Sequence, residues 1–184
     1  SLEGGNRGNT SRGTGQAGMP APRAGTAHAA GALAMGESLG QGASTGVIGQ
    51  RLAIEPFARA MPELAAQRSA DGFETLAQAM MTTDTVPKMA SATVVIDGVE
   101  VSLLGVAKGS GMIMPNMATM LSFVVPDAQI VFPVLRPLVR SRVERTFNRI
   151  TVDGAPSTTD MVLVMAHGAA GTPWHGQANP RAAR

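Results

Sequence analysis

A fold of mixed helix and strand is predicted by three features: apolar stripes at helical spacing between Ile54 and Met80, two β-rich runs joined by Asp97-Gly98, and a strand–helix–strand pattern over residues 119–165. The 184 residues suffice for one domain with a sizeable core. Hydrophobic residues make up 44% and charged residues 15%, a globular composition, and the absence of Cys excludes a disulfide-stapled chain. Five Phe, one Trp and no Tyr leave the core to Met, Leu, Val, Ile and Ala. Of these, Met in particular packs well but specifies shape loosely.

Residues 1–42 hold eleven of the 22 glycines together with Pro20 and Pro22, show no period of 2 or 3.6, and contain no aromatic residue. This Gly/Ala/Arg-rich segment is expected to be poorly ordered or degenerate. Residues 43–171 have the character of a folded core. Within it, Ile54, Phe57, Met61 and Leu64 recur at three- and four-residue steps, the stripe of an amphipathic helix that Pro62 should end or kink. Ser69 offers an N-cap to a second stripe at Phe73, Leu76 and Met80. Residues 93–96 and 99–104 form a hairpin, because Asp97-Gly98 accepts the positive φ angles of a tight two-residue turn.

Residues 119–125 read as a further strand closed by Pro126. Asp127 then caps a helix whose Val131, Val134, Leu135, Leu138 and Phe147 share one face while Arg140, Arg142 and Glu144 stay outside, although Pro133 and Pro137 count against a regular first turn. A last strand spans residues 161–165 after a polar loop over 153–160, and residues 172–184 are expected to form a disordered tail.

The net charge of +2 reflects few acids rather than a massed positive face, and the Arg residues are not interleaved with aromatics, which argues against nucleic acid as a partner. No apolar run approaches the about 18–20 residues of a membrane span, and no basic start followed by an apolar stretch reads as a secretory signal. Zero Cys agrees with a cytoplasmic protein. The chain opens on Ser1 rather than Met, as an internal stretch of a longer protein would.

Several motifs have a chemical reading beside an ordinary one. Gly42-Ala43-Ser44-Thr45-Gly46 matches the nucleophile-elbow pattern that would make Ser44 a hydrolase nucleophile, but that pattern needs a preceding strand, and residues 37–41 do not read as one. The same small residues suit an oxyanion hole, in which Thr45 and Gly46 bring N–H groups close to a ligand oxygen. His28, His167 and His175 have no metal-ligand spacing, so no metal is expected. Lys108-Gly109-Ser110-Gly111 contains the ingredients of a phosphate loop in the wrong order. Lys108 itself, flanked by Val106-Ala107 and Met112-Ile113-Met114, is in the ordinary reading a strand-end lysine that snorkels to water. Thr119 is in the same sense an ordinary β-former. Ala118 before it, however, is small enough to leave its carbonyl open to attack. Cutting the Ala118–Thr119 bond would free an α-amine of pKa about 7.7–8, the base that a Thr hydroxyl needs.

The segment Lys108-Gly-Ser-Gly-Met-Ile-Met-Pro-Asn-Met-Ala-Thr-Met-Leu121 resembles the self-cleavage segment of the glutamate N-acetyltransferase family, also called ornithine acetyltransferases, of arginine biosynthesis. Three other blocks agree in order and spacing: Ser44-Thr-Gly-Val-Ile-Gly49, Met81-Thr-Thr-Asp-Thr85, and Arg145-Thr-Phe-Asn-Arg-Ile-Thr-Val-Asp-Gly154 followed by Ser157, Thr158 and Asp160. The resemblance implies an α+β fold with two β layers between helices, an α/β/β/α sandwich, here incomplete. It also implies a precursor that cuts itself between Ala118 and Thr119 into α and β chains, which stay associated as a heterotetramer.

By position, the resemblance makes Thr119 the nucleophile, Ala118 the scissile carbonyl, Thr45 and Gly46 the oxyanion hole, and Thr82, Thr83, Lys108 and Thr119 the substrate-binding set. The substrates it implies are N-acetylornithine and glutamate, with no cofactor beyond acetyl-CoA as an acetyl donor in some members. Beyond Gly171 nothing matches the family's C-terminal portion, and Ala155-Pro156 and Thr159 depart from its D-T-S-T-N-D-like run. The alternatives are therefore a catalytically inactive, truncated relic of the family and a relative of the N-terminal-nucleophile aminopeptidases.

Overall fold

The computed structural model of the chain describes residues 20–45, 49–111, 120–153, 160–171 and 173–174. Among them, helices and a four-stranded mixed sheet make an α+β arrangement, with one further pair of short strands. Helix α1 (Pro20–Ala32) forms where the composition predicts poor order. Six of its thirteen residues are Ala, the best helix former, and Pro20 occupies the first position, where an N–H has no intrahelical partner. Tertiary contact completes it: Ala30 is buried, and α1 packs against α2 (Glu55–Ala66), where Gly25 lies beside Phe57. Residues 1–19 of the same segment lie outside the described residues.

Helix α2 follows the predicted stripe, with Ile54, Phe57 and Met61 half-buried, but Leu64 is 54% exposed. Pro62 neither ends nor divides it. The proline removes one backbone hydrogen bond on an exposed turn, where water can satisfy the freed carbonyl, so the helix runs on to Ala66. Helix α3 (Gly72–Ala79) starts at Asp71 rather than Ser69; Ser69 contributes its carbonyl, which accepts from the Gly72 N–H at 3.3 Å. Its fully buried residue is Ala77, small enough to bring the helix close to the sheet strands it packs on.

Strands β1 (Lys88–Ile96) and β2 (Val99–Lys108) pair antiparallel in full register from Ile96↔Val99 to Lys88↔Ala107. Asp97 at φ 51° and Gly98 at φ 83° turn the chain, the two positive angles the dipeptide predicts. Strand β2 pairs antiparallel with β3 (Leu121–Pro126), and β3 pairs parallel with β5 (Met161–Val164), giving the order β1-β2-β3-β5. As the edge strand, β1 is exposed along nearly its whole length. Burial falls instead on β2 and β3, at Val101, Val106, Lys108, Leu121 and Ser122.

Asp127 does not cap the following helix. Its N–H donates to Ser102 O at 3.0 Å and its Oδ1 accepts from Ser102 N–H at 2.9 Å, prolonging the β2–β3 edge. A two-residue strand β4 (Gln129–Ile130) intervenes before α4 (Phe132–Arg145), whose N-cap is Val131. Pro133 lies in the first turn, where it costs no intrahelical bond; Val134, Leu135, Leu138 and Val139 are half-buried, whereas Val131 is 46% exposed and Phe147 lies in a 3-10 turn beyond the helix. In the segment expected to be a disordered tail, β6 (Pro173–Trp174) pairs parallel with β4; residues 175–184 lie outside the described residues. Between β3, β5 and α4 is an open cleft of about 700 Å³ with an apolar lining that includes Phe123, Val162, Val164, Leu135 and Val139.

Substituting Gly98 tests the hairpin. A Cβ there meets no atom within 4 Å, so the cost of Gly98→Val is purely conformational. At this positive φ it is expected to lower stability by about 1–2 kcal/mol, read as an earlier urea midpoint; an unchanged midpoint refutes the turn assignment.

Candidate functional site

Three segments distant in sequence meet at the C-terminal end of β2. Strand alternation and the buried position of β2 in the sheet put Lys108 inside, with its residue 1% exposed. Its Nζ donates to Thr45 Oγ1 at 2.6 Å and reaches Thr82 Oγ1 at 3.5 Å. The lysine therefore does not snorkel to water. Among the described residues, which include every acid of the chain except Glu3, no carboxylate lies within ion-pair distance of Lys108. Burial pushes its ammonium below the ordinary lysine range, and the nearby Asp84 carboxylate partly opposes that shift. An uncompensated buried charge costs several kcal/mol. A lysine kept for structure alone would be expected to pair, whereas one solvated by two hydroxyls can receive an anionic ligand.

Asp84 organises the two loops around it. Its side chain has no solvent exposure and forms an ion pair with Lys88 at the start of β1. Its Oδ1 also accepts from Gly109 N–H at 2.8 Å, and its Oδ2 from Thr82 N–H at 3.3 Å. Burial raises its carboxyl, but the hydrogen bonds from Lys88, Gly109 and Thr82, with the charge of Lys88, outweigh that and leave it below the usual carboxylate range. Gly109, at φ 146°, occupies backbone space that side-chain-bearing residues rarely adopt. Its N–H is committed to Asp84, so this amide is not part of a phosphate cradle.

The two threonines of the 81–85 block divide. Thr82 faces Lys108, whereas the Thr83 hydroxyl is bonded to Ser110 Oγ at 2.7 Å, holding the same two loops together from the other side. Ser44 lies in irregular chain preceded by a 3-10 turn at Glu37–Leu39, not by a strand, and its Oγ is buried without a hydrogen-bond partner among the described residues. That is not a nucleophile elbow. Gly46, Ala118 and Thr119 lie outside the described residues, so of the predicted set the structure brings together Thr45, Thr82 and Lys108, with Thr83 alongside. Among the described residues no group of three or more His, Cys, Asp or Glu could hold a metal ion, and no helix is long and apolar enough to cross a membrane.

Sequence reasoning assigned no role to Asp84, Lys88 or Asp160. The signal for the first two was the lysine count: the 184 residues contain only Lys88 and Lys108, and both flank one carboxylate. Asp160 anchors the residue that follows Thr119. Met120 N–H donates to Asp160 Oδ1 at 2.7 Å, and Met120 O accepts from Met161 N–H at 2.9 Å, extending the β3–β5 ladder toward residue 119. Burial pushes the Asp160 carboxyl up, opposed by the Met120 N–H.

The sequence pattern of the ArgJ family matches residues 5–183. The arginine biosynthesis bifunctional protein ArgJ of Desulfotalea psychrophila is 57% identical over 127 residues, 69% of this chain and 32% of its own length. Proteins of the same name from Rhizobium meliloti and Symbiobacterium thermophilum are each 47% identical, over 165 and 168 residues, covering 90% and 91% of this chain and 40% and 42% of theirs. The chain thus spans 32–42% of the length of these curated relatives.

The Asp160 geometry makes a signed prediction. A carboxyl whose folded pKa lies above its unfolded value of about 3.9 costs stability once the pH rises past that value. Asp160→Asn keeps an acceptor for Met120 N–H and removes the charge. The variant is expected to resist urea better than wild type at pH 7, with the difference vanishing by pH 3; a pH-independent difference removes the burial argument.

Proposed function

The chain belongs to the ArgJ family, and from that membership we propose that it carries the nucleophile, oxyanion and carboxylate-binding elements of an acetyltransferase that moves an acetyl group from N-acetylornithine to glutamate. One observation carries the reading: the buried Lys108 ammonium is held by the hydroxyls of Thr45 and Thr82, with no carboxylate among the described residues paired to it. The α-carboxylate of an amino-acid substrate is the ligand whose charge and size suit that position. Thr83, bonded to Ser110, supports the loop rather than the ligand in this reading.

The chemistry follows from the order of residues. Thr119 Oγ attacks the Ala118 carbonyl carbon, the C–N bond breaks as the C–O bond forms, and the peptide becomes an ester with a free Thr119 α-amine. Water hydrolyses that ester, leaving Ala118 as a carboxylate and Thr119 as a new N-terminus. The α-amine then takes the hydroxyl proton as Oγ attacks the acetyl carbonyl of N-acetylornithine. Ornithine leaves with that proton, and acetyl-Thr119 remains. The glutamate amine attacks the acetyl ester in turn, regenerating the hydroxyl. N–H groups at Thr45 and Gly46 stabilise the oxyanion of each tetrahedral intermediate. Acetyl-CoA is an alternative acetyl donor, and no other cofactor is invoked.

The remaining proposals concern the whole protein. The second β layer of an α/β/β/α sandwich is supplied by further chain. Cleaved α and β chains associate as a heterotetramer, in the cytoplasm.

The first test is intact mass. Purified chain is expected as two pieces divided between Ala118 and Thr119, and Thr119→Ala is expected to abolish the cut. A single uncut species with the wild-type sequence favours the inactive relic. The second test is substrate binding: Lys108→Met is expected to weaken N-acetylornithine binding by at least about tenfold, the loss of one charge-assisted contact. Unchanged affinity in calorimetry rules out the carboxylate role.

A further inference from the structure

The site contains both lysines of the chain and one buried carboxylate, an arrangement that has two ways of pairing. In the observed one, Asp84 pairs with Lys88 and accepts from Gly109 N–H and Thr82 N–H, while Lys108 is left to the hydroxyls of Thr45 and Thr82. Lys88 itself is at the edge of the site, its side chain 42% exposed, so it does not need to be buried to fulfil this pairing. In the other arrangement Asp84 would pair with Lys108, two buried charges would cancel, and nothing would remain to attract an anion.

We propose that Lys88 is a positioning residue: by occupying Asp84 it keeps that carboxylate from pairing with Lys108, and so holds the Lys108 ammonium ready for the carboxylate of a ligand. The proposal rests on Lys108 being the carboxylate-binding group. It accounts for a feature that packing alone does not explain, the expense of a buried lysine beside a carboxylate that it does not pair with. It also divides the work of one anion. Asp84 stays near enough for its field to help retain the Lys108 proton, yet its ion pair is made with Lys88 and its other two hydrogen bonds with loop amides. Among the described residues Asp84 is the charged group whose field is felt at Lys108; Thr45 and Thr82 face it with neutral hydroxyls.

With only two lysines, selective ¹³C labelling of Lys Cε yields two NMR signals whose titration reads each ammonium directly. In Lys88→Met, Asp84 is free to pair with Lys108. The Lys108 midpoint is expected to rise by about one pH unit, a tenfold gain in proton affinity of the size that a new opposite charge produces, and N-acetylornithine affinity to fall about tenfold. Lys88→Arg, which retains the charge, is expected to behave as wild type. In the double variant Asp84→Asn/Lys88→Met the rival carboxylate is gone while an oxygen acceptor for Gly109 N–H remains, so the Lys108 midpoint is expected to fall back and the affinity to recover to within about threefold of wild type. A merely structural Lys88 would make the double variant as poor as the single one.

A Lys108 midpoint in Lys88→Met equal to wild type overturns the proposal. Should the double variant fail to fold, the comparison of Lys88→Met with Lys88→Arg still decides it. If the midpoint rises as expected but wild-type chain does not bind N-acetylornithine, the role of Lys88 stands and the substrate reading fails instead.

Discussion

A carboxylate removed from water stays ionised only where protein groups replace its hydration shell, and Asp84 is such a group: no part of its side chain reaches solvent. Lys88 Nζ, Gly109 N–H and Thr82 N–H take the place of water. These donors come from the start of β1, the loop after β2 and the loop after α3. The same carboxylate therefore fixes where β1 begins, how the chain leaves β2, and how the 81–85 segment lies across both. The Thr83–Ser110 bond closes the same junction from outside. Three donors from separate segments are thus satisfied by this one side chain.

Lys108 takes its properties from that junction. It ends β2, whose far end is set by the Asp97-Gly98 turn, and the antiparallel register carries it to a buried position opposite Leu121 of β3. There the ammonium exchanges water for the hydroxyls of Thr45 and Thr82, which accept hydrogen bonds but carry no compensating charge. A hydroxyl-solvated cation in a low-dielectric setting holds a strong field. Across β3, the Met120 contacts with Asp160 and Met161 extend the parallel ladder by one residue beyond Leu121.

The local features were readable in proportion to how far local physics decided them. Asp97-Gly98 was legible because two consecutive positive φ angles suit few dipeptides, and the helical stripe at Ile54, Phe57 and Met61 because periodicity records burial directly. Pro62 misled because its single lost hydrogen bond falls on an exposed turn that water can serve. Asp127 misled because an acid before a helix pattern looks like a cap, whereas here its partner is Ser102, 25 residues earlier in sequence on the neighbouring strand. Helix α1 went unseen because its stripe is mostly Ala, which signals helix propensity but no face, and its contact with Phe57 is tertiary.

By itself the sequence determined the class of fold, the hairpin, and through its ordered motif blocks the residue types brought to the site: hydroxyls at 45 and 82–83 and the lysine at 108. Only the tertiary structure decided which of them meet. That Thr82 rather than Thr83 faces Lys108, and that Asp84 pairs with Lys88 and not with Lys108, depends on the register of β1 on β2 and on the turn at Gly109. The physical reason is that a charge pairs with the nearest partner in space, and three-dimensional distance is set by strand register and backbone φ, which one-dimensional spacing does not encode.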